Sequence, residues 1–236
     1  MMLVVPRAGE ITEIVGRLSS GRTSLLMAML SRATRAGAAT ALVDVDDAFD
    51  VLSATRGGVE LDRLLWVRCG GRRDVALRAA DLLVRCPGFA VVGLDLGELA
   101  PRLSLAAAFR LRLAARRSRV ALVVLSSRRI AGAGAALAVE TTQAGIDWAG
   151  PARAVTRLAR LRSRVSVVRD RTGPLAPSRE LEWGCEMRDG RAAAGGARHE
   201  SSGEMDRWGC EMRDGRAATG GARHESSGEM DRGGAR

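Results

Sequence analysis

The 236-residue chain predicts an α/β fold, a mostly parallel sheet covered by helices on both faces. Between residues 11 and 125, short apolar runs alternate with amphipathic segments about five times. The runs are almost continuously apolar rather than alternating, as strands buried on both faces are. A glycine-rich turn, Gly16-Arg-Leu-Ser-Ser-Gly21, joins the first run to the first amphipathic segment.

Residues 11–15 read as the first strand. A helix over 23–35 follows, with Leu26, Met29, Leu30 and Ala33 at i, i+3, i+4 and i+7 and Gly37 placed to end it. Residues 41–45 and 64–69 read as strands two and three. Between 74 and 86, Val75, Ala79, Leu82, Leu83 and Cys86 share one helical face. Residues 89–94 form an apolar strand, 103–117 a helix with Leu105, Phe109 and Leu113 inward, and 120–125 another strand. Beyond Ala131 the pattern turns strand-rich, at 136–142 and 164–169, which predicts a C-terminal β-hairpin extending the sheet.

The domain is expected to span residues 1–178, followed by a low-complexity tail over 179–236. Within the tail, residues 183–207 recur at 208–232 with one change, Ala194 against Thr219. Only two copies of this 25-residue unit are present, with Trp, Cys and Met scattered among Gly, Ala, Ser, Glu and Arg. A solenoid would need an apolar period and about three copies or more, so the tail is expected to be a disordered appendage.

With 46% hydrophobic and 27% charged residues, fibrous and wholly disordered chains are excluded. Lysine is absent, so all 37 basic residues are arginine. A G/C-rich genome accounts for this in general, but the absence also removes any lysine needed for chemistry. Residues 183–236 hold 9 Arg and 10 acids, so of the formal net charge of +10 the front part, residues 1–182, carries +11 and the tail −1. Arg102, Arg110, Arg112, Arg116, Arg117, Arg119, Arg128 and Arg129 fall in an acid-free stretch between Glu98 and Glu140. Such a surface fits a polyanionic partner, although codon bias spreads arginine over any solvated face. Cys69, Cys86, Cys185 and Cys210 form no C-x-x-C pair, and no leader or spanning apolar run is present; a reduced, cytoplasmic, non-membrane setting is expected.

Gly16, Ser19, Ser20, Gly21, Arg22, Thr23 and Ser24 lie directly after a strand and before a helix, with the G-x-x-x-x-G spacing of a phosphate-binding P-loop. Its glycines let successive N–H groups point at phosphate oxygens, and the helix dipole adds to the attraction. Thr23 would offer its hydroxyl to Mg²⁺. Where the motif has lysine the chain has Arg22, a wide planar fork in place of a compact ammonium, which puts hydrolysis in doubt more than binding. Asp95 ends an apolar strand, where a carboxylate would orient Mg²⁺ through water. Asp44, Asp46 and Asp47 stand at the carboxyl edge, where open α/β sheets bind ligands. Each aspartate alone reads equally well as a loop residue.

The order Gly9-Glu-Ile-Thr-Glu-Ile-Val-Gly16, Ser19-Ser20-Gly21-Arg22-Thr23, Leu42-Val-Asp-Val-Asp-Asp-Ala-Phe-Asp50, Val59-Glu-Leu-Asp-Arg-Leu-Leu-Trp-Val-Arg68 and Val91-Val-Gly-Leu-Asp95 resembles the core of RecA-type recombinases, over residues 7–172. The Leu-Leu-Trp-Val-Arg stretch is closer to a shortened RecA-like branch that includes ImuA, the partner of SOS mutagenic polymerases. The resemblance implies a RecA-like nucleotide-binding core, ATP and Mg²⁺ as cofactors, and a role in DNA repair, recombination or SOS mutagenesis. It also implies single-stranded DNA, a mutagenic DNA polymerase or another repair protein as partner.

By the same resemblance, Asp46 takes the place of a water-activating glutamate one methylene longer, and Ser126-Ser127 replaces a γ-phosphate-sensing glutamine. The DNA-binding loops reduce to residues 96–102 and 128–134, and too little chain precedes residue 11 for the segment that joins RecA protomers. These departures imply weak or no ATP hydrolysis. DNA contact is then expected at Arg128, Arg129 and the arginines of 153–171, with Trp148 the sole stacking candidate there. Two alternatives stand beside this reading: a non-catalytic interaction module with a degenerate loop, of which a SulA-like division inhibitor is one form, and an active DNA-dependent ATPase.

Overall fold

Strand β1 (Ile11–Val15) is buried on both faces because it lies within the sheet, between β5 (Ala121–Ser126) and β6 (Leu137–Ala149). A computed structural model describes residues 4–98, 100–150 and 157–184. Helix α1 (Arg22–Arg35) leads to β2 (Ala39–Asp44), the short α2 (Val51–Arg56) and β3 (Leu64–Arg68). Helix α3 (Arg73–Arg85), β4 (Phe89–Asp95) and α4 (Leu105–Ser118) precede β5. After β6, strands β7 (Arg157–Asp170) and β8 (Arg179–Gly184) return antiparallel.

The eight strands run in the order β3-β2-β4-β5-β1-β6-β7-β8, with β1 to β6 paired in parallel. One apolar core, with Leu111, Ala80 and Leu122, lies between the sheet and α3 and α4. A second, with Leu25, Leu26, Met29 and Trp183, lies under α1. Among the described residues no helix is long and apolar enough to cross a membrane.

Helix α4 turns a different face inward from the one expected. Leu105, Phe109 and Leu113 are 65%, 45% and 50% exposed, while Ala108, Leu111, Ala114 and Ala115 are buried. The alanines let α4 approach closely against Ala76 and Ala80 of α3, and close packing wins over bulk. Helix α3 shows the same preference: Ala76, Ala80 and Val84 form its buried stripe, and Leu82 faces solvent at 67% exposure.

The hairpin extending the sheet is present, and its strands are about twice the expected length, at 13 and 14 residues. Their outer halves are polar ladders rather than apolar runs. Arg160 pairs with Glu182 at 2.8 Å, Arg162 with Asp147 at 3.1 Å and Arg164 with Glu180 at 2.8 Å. These three arginines, expected to face DNA, are therefore partnered within the sheet. Strand β8 also carries the sheet past residue 178, where the sequence pattern ended the domain, and includes Trp183 at 2% exposure. The rest of the repeat tail lies outside the described residues.

Arg7 and Asp170 close the sheet's amino edge, with both guanidinium nitrogens donating to the two carboxylate oxygens at 2.9 and 2.8 Å. The hydrogen bonds from Arg7 hold the Asp170 carboxyl well below the usual range. A depressed carboxyl stabilises the fold fully above the unfolded value, about pH 4, and loses that contribution as pH falls through the folded value. Asp170→Asn should therefore show its full stability deficit at pH 7, a modestly smaller one at pH 3 and a much smaller one only below about pH 2, measured by urea unfolding; an equal deficit at all three would refute the pairing.

Candidate functional site

The carboxyl edge of β1 runs into residues 16–21, which loop over the amino end of α1. Two positions in this loop require glycine. Gly16 donates its N–H to the Ser126 carbonyl at 3.0 Å, and a Cβ there would collide with the hydroxyls of Thr141 and Ser20. Gly21 has φ +89° and would drive a Cβ into Ser163 and the Trp183 ring nitrogen. Ser19, at φ +60°, supplies the other left-handed turn.

The structure divides the predicted loop residues into two groups. Ser20 is buried with its hydroxyl 2.8 Å from that of Thr141, which also donates to the Val15 carbonyl at 3.3 Å, so it anchors the loop to β6. Ser19 and Thr23 are exposed and Ser24 is half-buried. Arg22, 6% exposed, folds back over the loop: its Nη1 donates to the Gly16 carbonyl at 2.6 Å and lies 2.6 Å from Oε1 of Glu98. Glu98 has no sequence signature, because its partner sits on a different element far along the chain.

Four further acids stand at this edge in different roles. Asp44 is buried and accepts from Phe49 N–H at 2.9 Å and Trp66 Nε1–H at 3.3 Å, so it holds the β2–α2 turn. Asp47 pairs with Arg68 at 3.2 Å. Asp46 is exposed, and its carboxylate lies against the Cα of Gly97, occupying the space a side chain at 97 would take. Asp95 accepts from Gly97 N–H at 3.0 Å. Burial pushes the Asp95 carboxyl up, with Asp44 and Asp46 adding repulsion, while the Gly97 N–H and Arg22 oppose the shift.

Asp46, Asp95 and Gly97 are thus neighbours, and Asp95 shares the field of Arg22. A half-buried carboxylate crowded by like charge is a fit for Mg²⁺, which takes one or two protein carboxylates and completes its shell with water and phosphate oxygens. Among the described residues no cluster of three or more His, Cys, Asp or Glu could hold an ion on its own.

The two short loops beside the site are tied together. Ser127 Oγ donates to the Glu98 carbonyl, Arg128 Nε to the Ala100 carbonyl at 3.3 Å, and Leu103 N–H to the Ile130 carbonyl at 3.1 Å. Beneath them, Glu13 of β1, at 0% exposure, accepts from Ile130 N–H and, at 2.8 Å, from Ala131 N–H. Its second oxygen lies 3.8 Å from Arg129 Nε. Arg128 and Arg129 are both exposed on this braced loop, whereas the exposed Trp148 sits on β6. Sequence reasoning misses Glu13 as a brace, since a glutamate within an apolar strand carries no sign of a partner in another loop.

The family model described as the RecA N-terminal domain matches residues 4–133. Protein RecA of Methylococcus capsulatus is 40% identical over 102 residues, 43% of this chain and 29% of that protein. Protein RecA of Deinococcus radiodurans is 39% identical over 99 residues, 42% of this chain and 27% of that protein. The chain thus spans under a third of the length of these curated relatives. In fold it is similar to the crystal structure of the RadB recombinase, with a TM-score of 0.56 at 16% identity, covering 74% of this chain and 87% of that one. With the family match running over more than half of its residues, from before β1 through the loop that Glu13 braces, the chain belongs to the RecA family.

Proposed function

We propose that this chain binds ATP with Mg²⁺ through residues 16–23 and acts in DNA repair, recombination or SOS mutagenesis, with weak or no hydrolysis. Support comes above all from Arg22, whose guanidinium is held at the mouth of a glycine loop between β1 and α1, 2.6 Å from Glu98. Phosphate oxygens would take Arg22 from Glu98, exchanging one anion for another on the same cation. Thr23 and Asp95 would hold Mg²⁺, which when bound neutralises phosphate charge. Asp46 is the exposed carboxylate nearest this edge and the candidate to orient water. An aspartate in place of a glutamate, with serines in place of a sensing glutamine, argues for slow turnover, since loss of a general base commonly costs ~100-fold or more. Single-stranded DNA, a mutagenic polymerase or another repair protein would meet the braced loop at Arg128 and Arg129.

The self-neutralising Arg22–Glu98 pair also favours a second reading, a cytoplasmic interaction module that binds no nucleotide. Fluorescent ATP-analogue titration of the full chain separates the two. Under the first reading Arg22→Lys tightens binding, and Glu98→Gln does so roughly five- to tenfold, the equivalent of about 1 to 1.4 kcal/mol. Absence of saturable binding in the parent and both variants would leave only the interaction module.

A further inference from the structure

At the amino edge of the sheet, the end away from the glycine loop, a half-open cavity of about 360 Å³ is lined by Arg112, Arg116, Arg119 and Arg171, with Glu10 as its only acid. Arg112, Arg116 and Arg119 recur at i, i+4 and i+7, which puts them on one stripe of α4 and its cap. The stripe rises about 10 Å, long enough to face more than one phosphate. Arg171 enters from the residue after β7 and is held by the Ala133 carbonyl. Among the described residues none of the four makes an ion pair, although Arg7, Arg78, Arg85, Arg110, Arg160 and Arg164 all do. Glu10 offsets them only in part: it attracts Arg171 through space, but its Oε2 is buried without a hydrogen-bond partner and its ion-pair distance to Arg7 is 3.8 Å.

The backbone at Arg119 adds an independent observation. It caps α4 at φ +61°, a left-handed conformation at which helices ordinarily place glycine. Codon bias does not explain the choice, because glycine codons are as G/C-rich as those of arginine. The fold carries a strained arginine beside three others, and such strain gathers where a side chain has work to do. Burial and the neighbouring Arg112 and Arg169 push the Arg171 guanidinium down against the opposing pull of Glu10, as expected where like charges outnumber the nearby acid.

We infer that the cavity bounded by Arg112, Arg116, Arg119 and Arg171 is a second phosphate-binding site, distinct from the glycine loop. The rest of its lining is Ala8, Gly9, Ile11, Gly134 and Ala136, with no aromatic ring to stack a base, so recognition is of clustered oxyanions by guanidinium forks. The phosphates belong either to a nucleic-acid strand or to a free polyphosphate. The site does not depend on ATP binding at residues 16–23.

The test uses the full chain without nucleotide. Inorganic pyrophosphate is titrated by calorimetry, and a labelled oligothymidylate by anisotropy over a range of salt. Arg112→Ala/Arg116→Ala should weaken whichever probe binds by at least about tenfold, while Arg78→Ala on α3 leaves it unchanged. If the source is a strand, the salt slope also falls by about 0.7 for each phosphate that the variant no longer neutralises; if only pyrophosphate responds, the source is free polyphosphate. Arg119→Gly should lose affinity while its unfolding midpoint rises by about 2–4 °C, a combination no purely structural role produces. Neither probe responding to these arginines, or polyglutamate binding as tightly as both, overturns the site. ATP-analogue binding measured in the same variants should stay at the parent value, which keeps this result separate from the fate of the nucleotide reading.

Discussion

Replacing Trp183 with alanine is expected to cost about 3–5 kcal/mol and to lower the unfolding midpoint by roughly 10 °C or more. The ring is 2% exposed within the core under α1, which also contains Leu25, Leu26 and Leu181. Its removal opens a cavity that neighbours on three elements cannot close. The indole Nε1–H donates to Ser163 Oγ at 3.0 Å, and that hydroxyl lies against Gly21. The loss should therefore reach the glycine loop and weaken any ligand bound there. Trp183→Phe keeps most of the apolar volume, forfeits one hydrogen bond and should cost far less, about 1 kcal/mol for the bond itself. A Trp183→Ala midpoint within a degree or two of the parent would show that β8 adds nothing to the core.

Glu13→Ala should be nearly as damaging, by roughly 2–5 kcal/mol, because it strands two buried backbone N–H groups, at Ile130 and Ala131, each costing about 1–3 kcal/mol. Glu13→Gln retains an acceptor at the same reach and should recover most of the loss. Hydrogen exchange distinguishes this from general loosening of the core: amide protection at 130 and 131 should drop in Glu13→Ala well beyond the drop within β5. Unchanged exchange at those two amides would sink the bracing role.

Strands β4 and β5 were legible because burial on both faces leaves a nearly unbroken apolar run. Helix α4 was legible as a helix but not in phase. Its bulky stripe of Leu105, Phe109 and Leu113 looks inward by hydrophobicity, yet alanines permit the closer approach. The outer halves of β6 and β7 were hidden because cross-strand charge pairs, not apolar residues, fill them. Trp183 read as the first letter of a repeat rather than as the last large side chain of the core. Helix α2 is too short, at six residues, to show a period; its start is set by Asp50, which accepts from the N–H groups of Leu52 and Ser53.

At the candidate site, residues 16–23 stand out by their spacing and Asp95 by its strand end. Partners across the fold were not, since nothing near Glu98, Thr141 or Glu13 in sequence announces Arg22, Ser20 or the loop at residue 130. Asp44 illustrates the converse: a carboxylate placed by topology at a ligand edge is consumed by two local donors.

The latches among Ser127, Glu98, Arg128, Ala100, Leu103 and Ile130 bear on the thermodynamics of association. A loop that folds around its ligand gives up conformational freedom at that moment, and the heat-capacity change on binding then exceeds what the contact area explains. Here the described residues of both segments are held by their own cross-links, and residues 130 and 131 by Glu13. A partner docking at Arg128 and Arg129 meets a surface with little entropy left to surrender, so its heat-capacity change should follow the area covered and nothing more.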